Sequence, residues 1–242
     1  MITTVLFDLD GTLLPMDQDV FVKNYLSKLA VKMAPLGYET KLLFYAVWKG
    51  IDAMARNDGK LVNENVFWNE FVKIYGEEAL KDKPVFEEFY RNEFQTVATD
   101  CGYTPKAKEL IEELKKNGYR LILATNPLFP AVATESRMRW AGLSPQDFEY
   151  YTTYENASYC KPNPLYYAEI LEHIGIPAEE CIMVGNDVDE DMIAKELGMK
   201  VFLLTDCLIN RNNVDISIYP HGGFDEIESF MKKIAQTATD IV

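Results

Sequence analysis

The sequence has little of what marks several large protein classes. It holds four cysteines among 242 residues, and no two of them are spaced as CxxC. This scarcity argues against a zinc site or a disulfide scaffold and favours reduced thiols. No apolar run approaches the roughly 20 residues of a membrane-spanning helix, and the first residues lack the basic and long apolar regions of a secretory signal. We therefore expect a cytoplasmic protein without a transmembrane segment.

Basic residues are also scarce. Lysine and arginine number 24 against 38 aspartate and glutamate residues, which gives a formal net charge of −14 at pH 7. This charge repels a nucleic-acid backbone and an anionic membrane surface, so neither is an expected partner. With 48% hydrophobic and 26% charged residues, the composition is typical of a globular protein. The length favours one core with a large insertion or a small second domain.

The first hundred residues contain one strand pattern and then a helical block. Residues 2–7 are apolar and end abruptly at acidic residues, which predicts a buried strand that runs into a loop. From about residue 17 to residue 94 the apolar side chains recur at helical spacing. Glycines stand where these helices are expected to end, at Gly37, Gly59 and Gly76.

The remainder of the chain alternates between helix and strand patterns. Beyond Pro105 this alternation includes a predicted helix over residues 189–197, and it predicts parallel strands joined by helical crossovers. The first strand needs partners, and the later strands are the ones available to it. The sequence therefore predicts an α/β core domain of residues 1–15 and 98–242, with an inserted α-helical cap domain of residues 16–97.

Polar side chains directly follow the predicted strands, where parallel sheets bind their ligands. The candidates are Asp8, Asp10, Thr125, Asn126, Lys161, Asn186, Asp187 and Asp191. Crowded carboxylates repel one another unless a cation joins them. Mg²⁺ beside a phosphate takes one or two carboxylates and keeps several waters. Lys161 and the Thr125 hydroxyl would then hold phosphate oxygens, since phosphoryl transfer needs mainly positioning and charge neutralisation.

Four segments in this order resemble the four motifs of the haloacid dehalogenase-like (HAD) superfamily. They are DLDGT at residues 8–12, the strand that ends in Thr125, the lysine before Pro162, and GNDVDED at residues 185–191. The resemblance implies a Rossmann-like core with a C1-type cap. It implies a Mg²⁺-dependent phosphatase of a small phosphorylated metabolite, in which Asp8 forms an aspartyl-phosphate and Asp10 is general acid and then base. Asp10 favours phosphoryl transfer over dehalogenation, because a halide leaves without a proton.

The resemblance also implies roles for the other candidates. Thr125 and Asn126 would bind the phosphate, and Lys161 would steady both the phosphate and Asp8. The Mg²⁺ ligands would be Asp8, the Asp10 carbonyl and the fourth motif. In the commonest form of that motif an aspartate directly follows the glycine. Here Asn186 occupies that position, and the acid, Asp187, comes one residue later. On charge grounds we expect Asp187 to bind the metal directly, with Asn186 as the alternative and Asp191 bonded to a metal-bound water.

Other interpretations of the same residues stay open. An EF-hand calcium loop would require glycine where Leu13 stands and a helix before Asp8, so the register does not fit. The acids of the fourth motif are also ordinary first-turn residues of a helix. A sugar-phosphate mutase, which returns the phosphoryl group to its substrate, would use the same motifs. A non-catalytic binding protein on the same fold is a third alternative.

Overall fold

The computed structural model describes residues 1–239, so residues 240–242 of the predicted core domain lie outside the described part. Its centre is a parallel sheet of six strands in the order β3-β2-β1-β4-β5-β6. The strands are β1 (Thr4–Phe7), β2 (Arg120–Leu123), β3 (Tyr150–Tyr151), β4 (Cys181–Gly185), β5 (Lys200–Leu204) and β6 (His221–Gly222). This sheet and its surrounding helices confirm the predicted α/β fold class.

Helices cover both faces of the sheet and fill the segment between β1 and β2. The α-helices are α1 (Gln18–Met33), α2 (Thr40–Ala55), α3 (Asn63–Tyr75), α4 (Lys83–Arg91), α5 (Pro105–Lys116), α6 (Ala131–Trp140), α7 (Pro164–Ile174) and α8 (Phe224–Thr239). Short 3₁₀ helices are Ala34–Leu36, Glu77–Asp82, Glu93–Asp100, Pro145–Asp147, Ala178–Glu180, Met192–Leu197 and Ile216–Ile218. Within residues 1–239, no helix combines the length and the apolar character that crossing a membrane requires.

The sheet is buried on both faces because its side chains alternate along each strand. Val5 and Phe7 of β1 join a hydrophobic cluster with side chains from α5 and α8. Leu6 points the other way, into a second cluster with side chains from α7. All four residues of β1 are buried. The carboxyl end of this central strand therefore opens at a rigid edge of the sheet.

The helical segment has its own hydrophobic cluster, which is rich in aromatic rings from α1, α3 and α4. The chain enters and leaves the segment at one place. Met16 and Cys101 form an isolated antiparallel bridge, and the Gly102 N–H donates to the Pro15 carbonyl at 2.7 Å. These observations agree with an insertion, and the division into domains of residues 1–15 with 98–242 and of residues 16–97 stays a prediction.

Three local predictions differ from the structure. Helix α2 ends at Ala55 rather than near Gly59, because the Asn57 side chain organises a turn by donating to the Leu61 carbonyl at 2.8 Å. The helix predicted over residues 189–197 is a 3₁₀ helix that begins at Met192, after a turn held by a carboxylate. Strand β6 is only two residues long and was not predicted from the sequence.

Candidate active site

The central strand β1 lies between β2 and β4, so the loops that follow these strands meet at one edge of the sheet. Asp8 directly follows β1 and Asn186 directly follows β4, while Thr125 comes two residues after β2. Lys161 lies in the loop before α7. The structure thus brings residues from all four predicted segments to this edge.

Asp8 is buried and held by two donors. Lys161 Nζ lies 2.9 Å from Asp8 Oδ1, and the Thr12 hydroxyl lies 3.1 Å from Asp8 Oδ2. Lys161 also donates to Asp191 Oδ1 at 2.6 Å. Burial by itself would lower the pKa of Lys161, but the carboxylates of Asp191 and Asp8 outweigh it and hold that pKa well above its ordinary value. Lys161 is therefore a permanent buried cation between two carboxylates.

Asp191 and Glu190 are acids with perturbed protonation. Asp191 is 1% exposed, and its Oδ2 accepts from the Asp187 backbone N–H at 2.9 Å. Burial raises the pKa of Asp191 to about 6, against the opposing effect of Lys161. Burial likewise raises the pKa of Glu190 to about 7, and Glu190 Oε2 accepts from Asn126 Nδ2 at 3.1 Å. Both acids therefore hold a proton more readily than exposed carboxyl groups do.

Asp10 is paired on one side only. Its Oδ2 forms an ion pair with the fully buried Arg137 of α6. Its Oδ1 is buried and, among the described residues, has no hydrogen-bond partner. Burial raises the pKa of Asp10 to about 6, although the Arg137 guanidinium works in the opposite direction. A carboxyl group with this pKa can give and take a proton near neutral pH.

The fourth motif separates its two candidate ligands. Asn186 Oδ1 lies 2.9 Å from the Thr12 hydroxyl that also contacts Asp8. Its amide packs against Gly11, where φ is +86° and an added Cβ would overlap the Asn186 side chain. Glycine is therefore required at this position. Asn186 is joined to the Asp8 side of the site through Thr12.

Asp187 has different partners. Its Oδ1 accepts the backbone N–H groups of Asp189 at 2.9 Å and Glu190 at 3.0 Å. Its Oδ2 accepts from Arg211 at 2.6 Å. Both oxygens of Asp187 thus accept from groups that do not contact Asp8, and the carboxylate caps the turn that follows β4.

The predicted phosphate-binding residues follow β2. Thr125 is buried, and its carbonyl accepts from the Thr152 hydroxyl at 2.6 Å and from the Tyr166 hydroxyl at 2.8 Å. These bonds fix the backbone of the loop. The next residue, Asn126, presents a buried Oδ1 that lacks a hydrogen-bond partner within the described chain.

Several residues of the site were not predicted from the sequence. They are Thr12, Arg137, Glu190 and Arg211. Thr12 and Glu190 stand inside motifs that the sequence did single out. Arg137 lies four residues after the buried Ala133 and hence on the buried face of α6, but the sequence of this helix has no apolar stripe that marks that face. An arginine on such a face requires a buried acid as its partner.

The charges of the site leave room for a divalent cation. Five carboxylates, those of Asp8, Asp10, Asp187, Glu190 and Asp191, face three cations, those of Lys161, Arg137 and Arg211. Two negative charges are left over when all are ionised. In the part of the chain that the structure describes, no three His, Cys, Asp or Glu side chains form a ready-made metal cage. Mg²⁺ does not need one, since it binds one or two carboxylates together with carbonyl oxygens and water.

Known proteins resemble this chain in sequence and in fold. The chain is 27% identical over 207 residues to a phosphoglycolate phosphatase of Vibrio vulnificus, with 84% of each chain covered. It is 24% identical over 201 residues to the pyrophosphatase PpaX of Bacillus cereus, with 82% of this chain and 81% of that protein covered. The crystal structure of a HAD phosphatase from Thermococcus onnurineus shares its fold, with a TM-score of 0.59, 22% identity, and 95% and 98% of the two chains covered.

The family of the chain is shown by its match to a protein-family model. The model of the haloacid dehalogenase-like hydrolases matches residues 2–205, which include all four site segments. The resemblance of the four motifs to this superfamily is thereby confirmed. The chain belongs to the haloacid dehalogenase-like hydrolase family.

Proposed function

We propose that this hydrolase is a Mg²⁺-dependent phosphatase that cleaves a small phosphomonoester through an aspartyl-phosphate on Asp8. One observation carries the proposal. A buried nucleophile, Asp8, is held between Lys161 and Thr12, and the same turn carries Asp10 Oδ1, which has no hydrogen-bond partner among residues 1–239. Two relatives are named as phosphatases of small phosphate compounds, which supports the same class of substrate.

The reaction has two steps. In the first, an oxygen of Asp8 attacks phosphorus, the ester P–O bond breaks, and Asp10 gives its proton to the leaving oxygen. In the second, water attacks the aspartyl-phosphate, its proton goes to Asp10, and Asp8 and inorganic phosphate are released. Lys161 offsets the charge on Asp8 and on the phosphate throughout. The Thr125 hydroxyl donates to phosphate oxygens, and so does Asn126 through the Nδ2 that here bonds Glu190 Oε2.

The donor set fits Mg²⁺, which supplies charge neutralisation and orients the phosphate when it is bound. Asp8 and the Asp10 carbonyl would hold it. Asn186 fits the third protein position better than Asp187, because its Oδ1 lies beside the Thr12 hydroxyl that contacts Asp8. Asp187 is engaged by Arg211 and two backbone N–H groups. Asp191 would act through a water that the metal binds.

We further propose that residues 16–97 form a cap domain over the core of residues 1–15 and 98–242. Such a cap limits the site to small substrates and excludes water until the aspartyl-phosphate has formed. The two crossings of the chain between these parts lie side by side at the Met16–Cys101 bridge, which supports an attachment about which the cap can move.

The test is phosphate release from a panel that holds p-nitrophenyl phosphate, phosphoglycolate, pyrophosphate, and sugar and nucleoside monophosphates. Each is measured with Mg²⁺ and with EDTA. We expect metal-dependent release that is abolished in Asp8→Asn and preserved in Asp225→Asn, a matched change in an exposed ion pair on α8.

Other outcomes would contradict the proposal. Interconversion of sugar-phosphate isomers without release would indicate a mutase. A folded protein that binds a phosphate compound without turning over any ester would indicate a binding protein.

A further inference from the structure

Arg137 is a buried cation at the site, and no step of the proposed mechanism uses it. Its side chain is fully buried on α6 and forms the ion pair with Asp10. Burying a charge is costly unless the charge is paired and hydrogen-bonded. Lys161 forms ion pairs with Asp8 and Asp191, whereas Arg137 forms its ion pair with Asp10.

The guanidinium of Arg137 is held from three sides by α6 and the loop before it. Its Nε lies 3.4 Å from the Ala133 carbonyl, and its second terminal nitrogen lies 3.2 Å from the Thr134 hydroxyl. One face of the group lies over the Phe129 ring, 4.4 Å from the ring centre. The remaining terminal nitrogen is thereby directed at Asp10.

This arrangement distinguishes the two oxygens of Asp10. A free carboxyl group rotates and can carry its proton on either oxygen. Oδ2 accepts a charge-assisted hydrogen bond from a fixed cation, so it is the unfavourable site for a proton. The proton of the acid is therefore placed on Oδ1, the buried oxygen without a partner in the described chain.

We propose that Arg137 is a positioning residue that holds Asp10 with Oδ1 directed at the leaving-group oxygen. The inference rests on the proposed function and adds a requirement to it. Orientation of a general acid matters only where the leaving group needs a proton. Arg137 should consequently matter more for esters of alcohols, which leave as strong bases, than for esters of acidic phenols.

The experiment compares two esters on one enzyme preparation. They are p-nitrophenyl phosphate, whose phenolate leaves without a proton, and the alkyl phosphate that the wild type hydrolyses fastest. The quantity is kcat/KM, which reports the steps up to cleavage of the ester bond. The ratio of the two values does not depend on the fraction of folded protein, so partial unfolding of a variant does not affect it.

We expect Arg137→Gln to lower kcat/KM for the alkyl ester about 10-fold or more beyond its effect on the aryl ester, within the roughly 10²–10⁴-fold contribution of a general acid. Arg139→Gln is the control, because Arg139 is an exposed arginine on the same helix that bonds Ser136. It should leave the ratio unchanged. In an Asp10→Asn background, Arg137→Gln should not change the ratio further.

Arg137→Lys provides a second variant if the glutamine variant does not fold. Lysine keeps a buried cation but lacks the planar guanidinium that α6 holds. We therefore expect the same selective loss of kcat/KM for the alkyl ester, but a smaller one. Equal losses for both esters in the Arg137 variants would overturn the positioning role while leaving the proposed function intact. A wild type that releases no phosphate from either ester would overturn the proposed function itself.

Discussion

Removing the amino group of Lys161 tests the charge balance of the site directly. Lys161→Met keeps a long, unbranched side chain but removes its charge. In the wild type the Lys161 amine lies 2.9 Å from Asp8 and 2.6 Å from Asp191, so the variant leaves both buried carboxylates without their cation. Loss of one partner from a buried ion pair costs about 3–5 kcal/mol. The cost should depend on pH, because Asp191 can take up a proton instead.

The sign follows from the pKa of Asp191. Burial raises this pKa from 3.8 to about 6 in the folded protein, so the folded state binds protons more tightly than the unfolded state. The free energy of unfolding therefore falls as pH rises through this window. Without Lys161 the folded-state pKa rises further, and each unit of that rise costs about 1.4 kcal/mol at a pH above it.

The assay is urea unfolding of wild type and Lys161→Met in EDTA at pH 5.5 and pH 8. We expect the difference in unfolding free energy to be larger at pH 8 by about 2–3 kcal/mol, if the pKa of Asp191 rises about two units in the variant. The control is Lys106→Met, which removes an exposed pair with Asp225 and should change stability little at either pH. The same difference at both pH values would refute the reasoning.

Three further predictions concern neighbouring positions. Asn186→Ala should weaken Mg²⁺ binding about 10-fold or more, and Asp187→Asn should weaken it much less. Titration calorimetry would measure both affinities. A larger loss in Asp187→Asn would indicate that Asp187 is the metal ligand. Gly11→Ala should lower the free energy of unfolding more than Gly37→Ala, because both have positive φ but only the Cβ at residue 11 meets a neighbour; equal urea midpoints would contradict this. Glu190→Gln should reduce the loss of stability that metal-free wild type shows as the pH rises from 4.5 to about 7, the ordinary and the raised pKa of Glu190. The loss that remains should come from Asp10 and Asp191, whose pKa burial raises to about 6. An unchanged pH profile would contradict this.

The sequence predicted the α/β class because apolar runs and polar strand ends are local signals. Asp8 and Gly11 lie three residues apart in DLDGT, so one short segment of sequence contains both. The insertion was inferred from the order of patterns alone. The length of α2 was misjudged, because the turn at Asn57 depends on side-chain hydrogen bonds that a glycine position does not reveal.

Long-range partners were beyond sequence reasoning. Arg137 is 127 residues from Asp10, and nothing in either segment specifies the other. The choice between Asn186 and Asp187 had a related difficulty, because formal charge favours the acid while local geometry decides which side chain faces Asp8. Asp187 meets Arg211, which is 24 residues away. Motif spacing identifies the segments that form a site. Which hydrogen-bond donor serves which of several neighbouring carboxylates is visible only in the three-dimensional structure.

The pairing of Met16 with Cys101 has a consequence for engineering. Because the two connectors already touch, the helical segment is spliced into the core at a point that needs no long loop to close. A short turn could close this junction with little loss of chain entropy, but it would uncover Phe129, Ala133 and Trp140, which pack against the helical segment. A chimera that carries another helical insertion at this junction would therefore also need apolar side chains that cover this face of α6 and the loop before it.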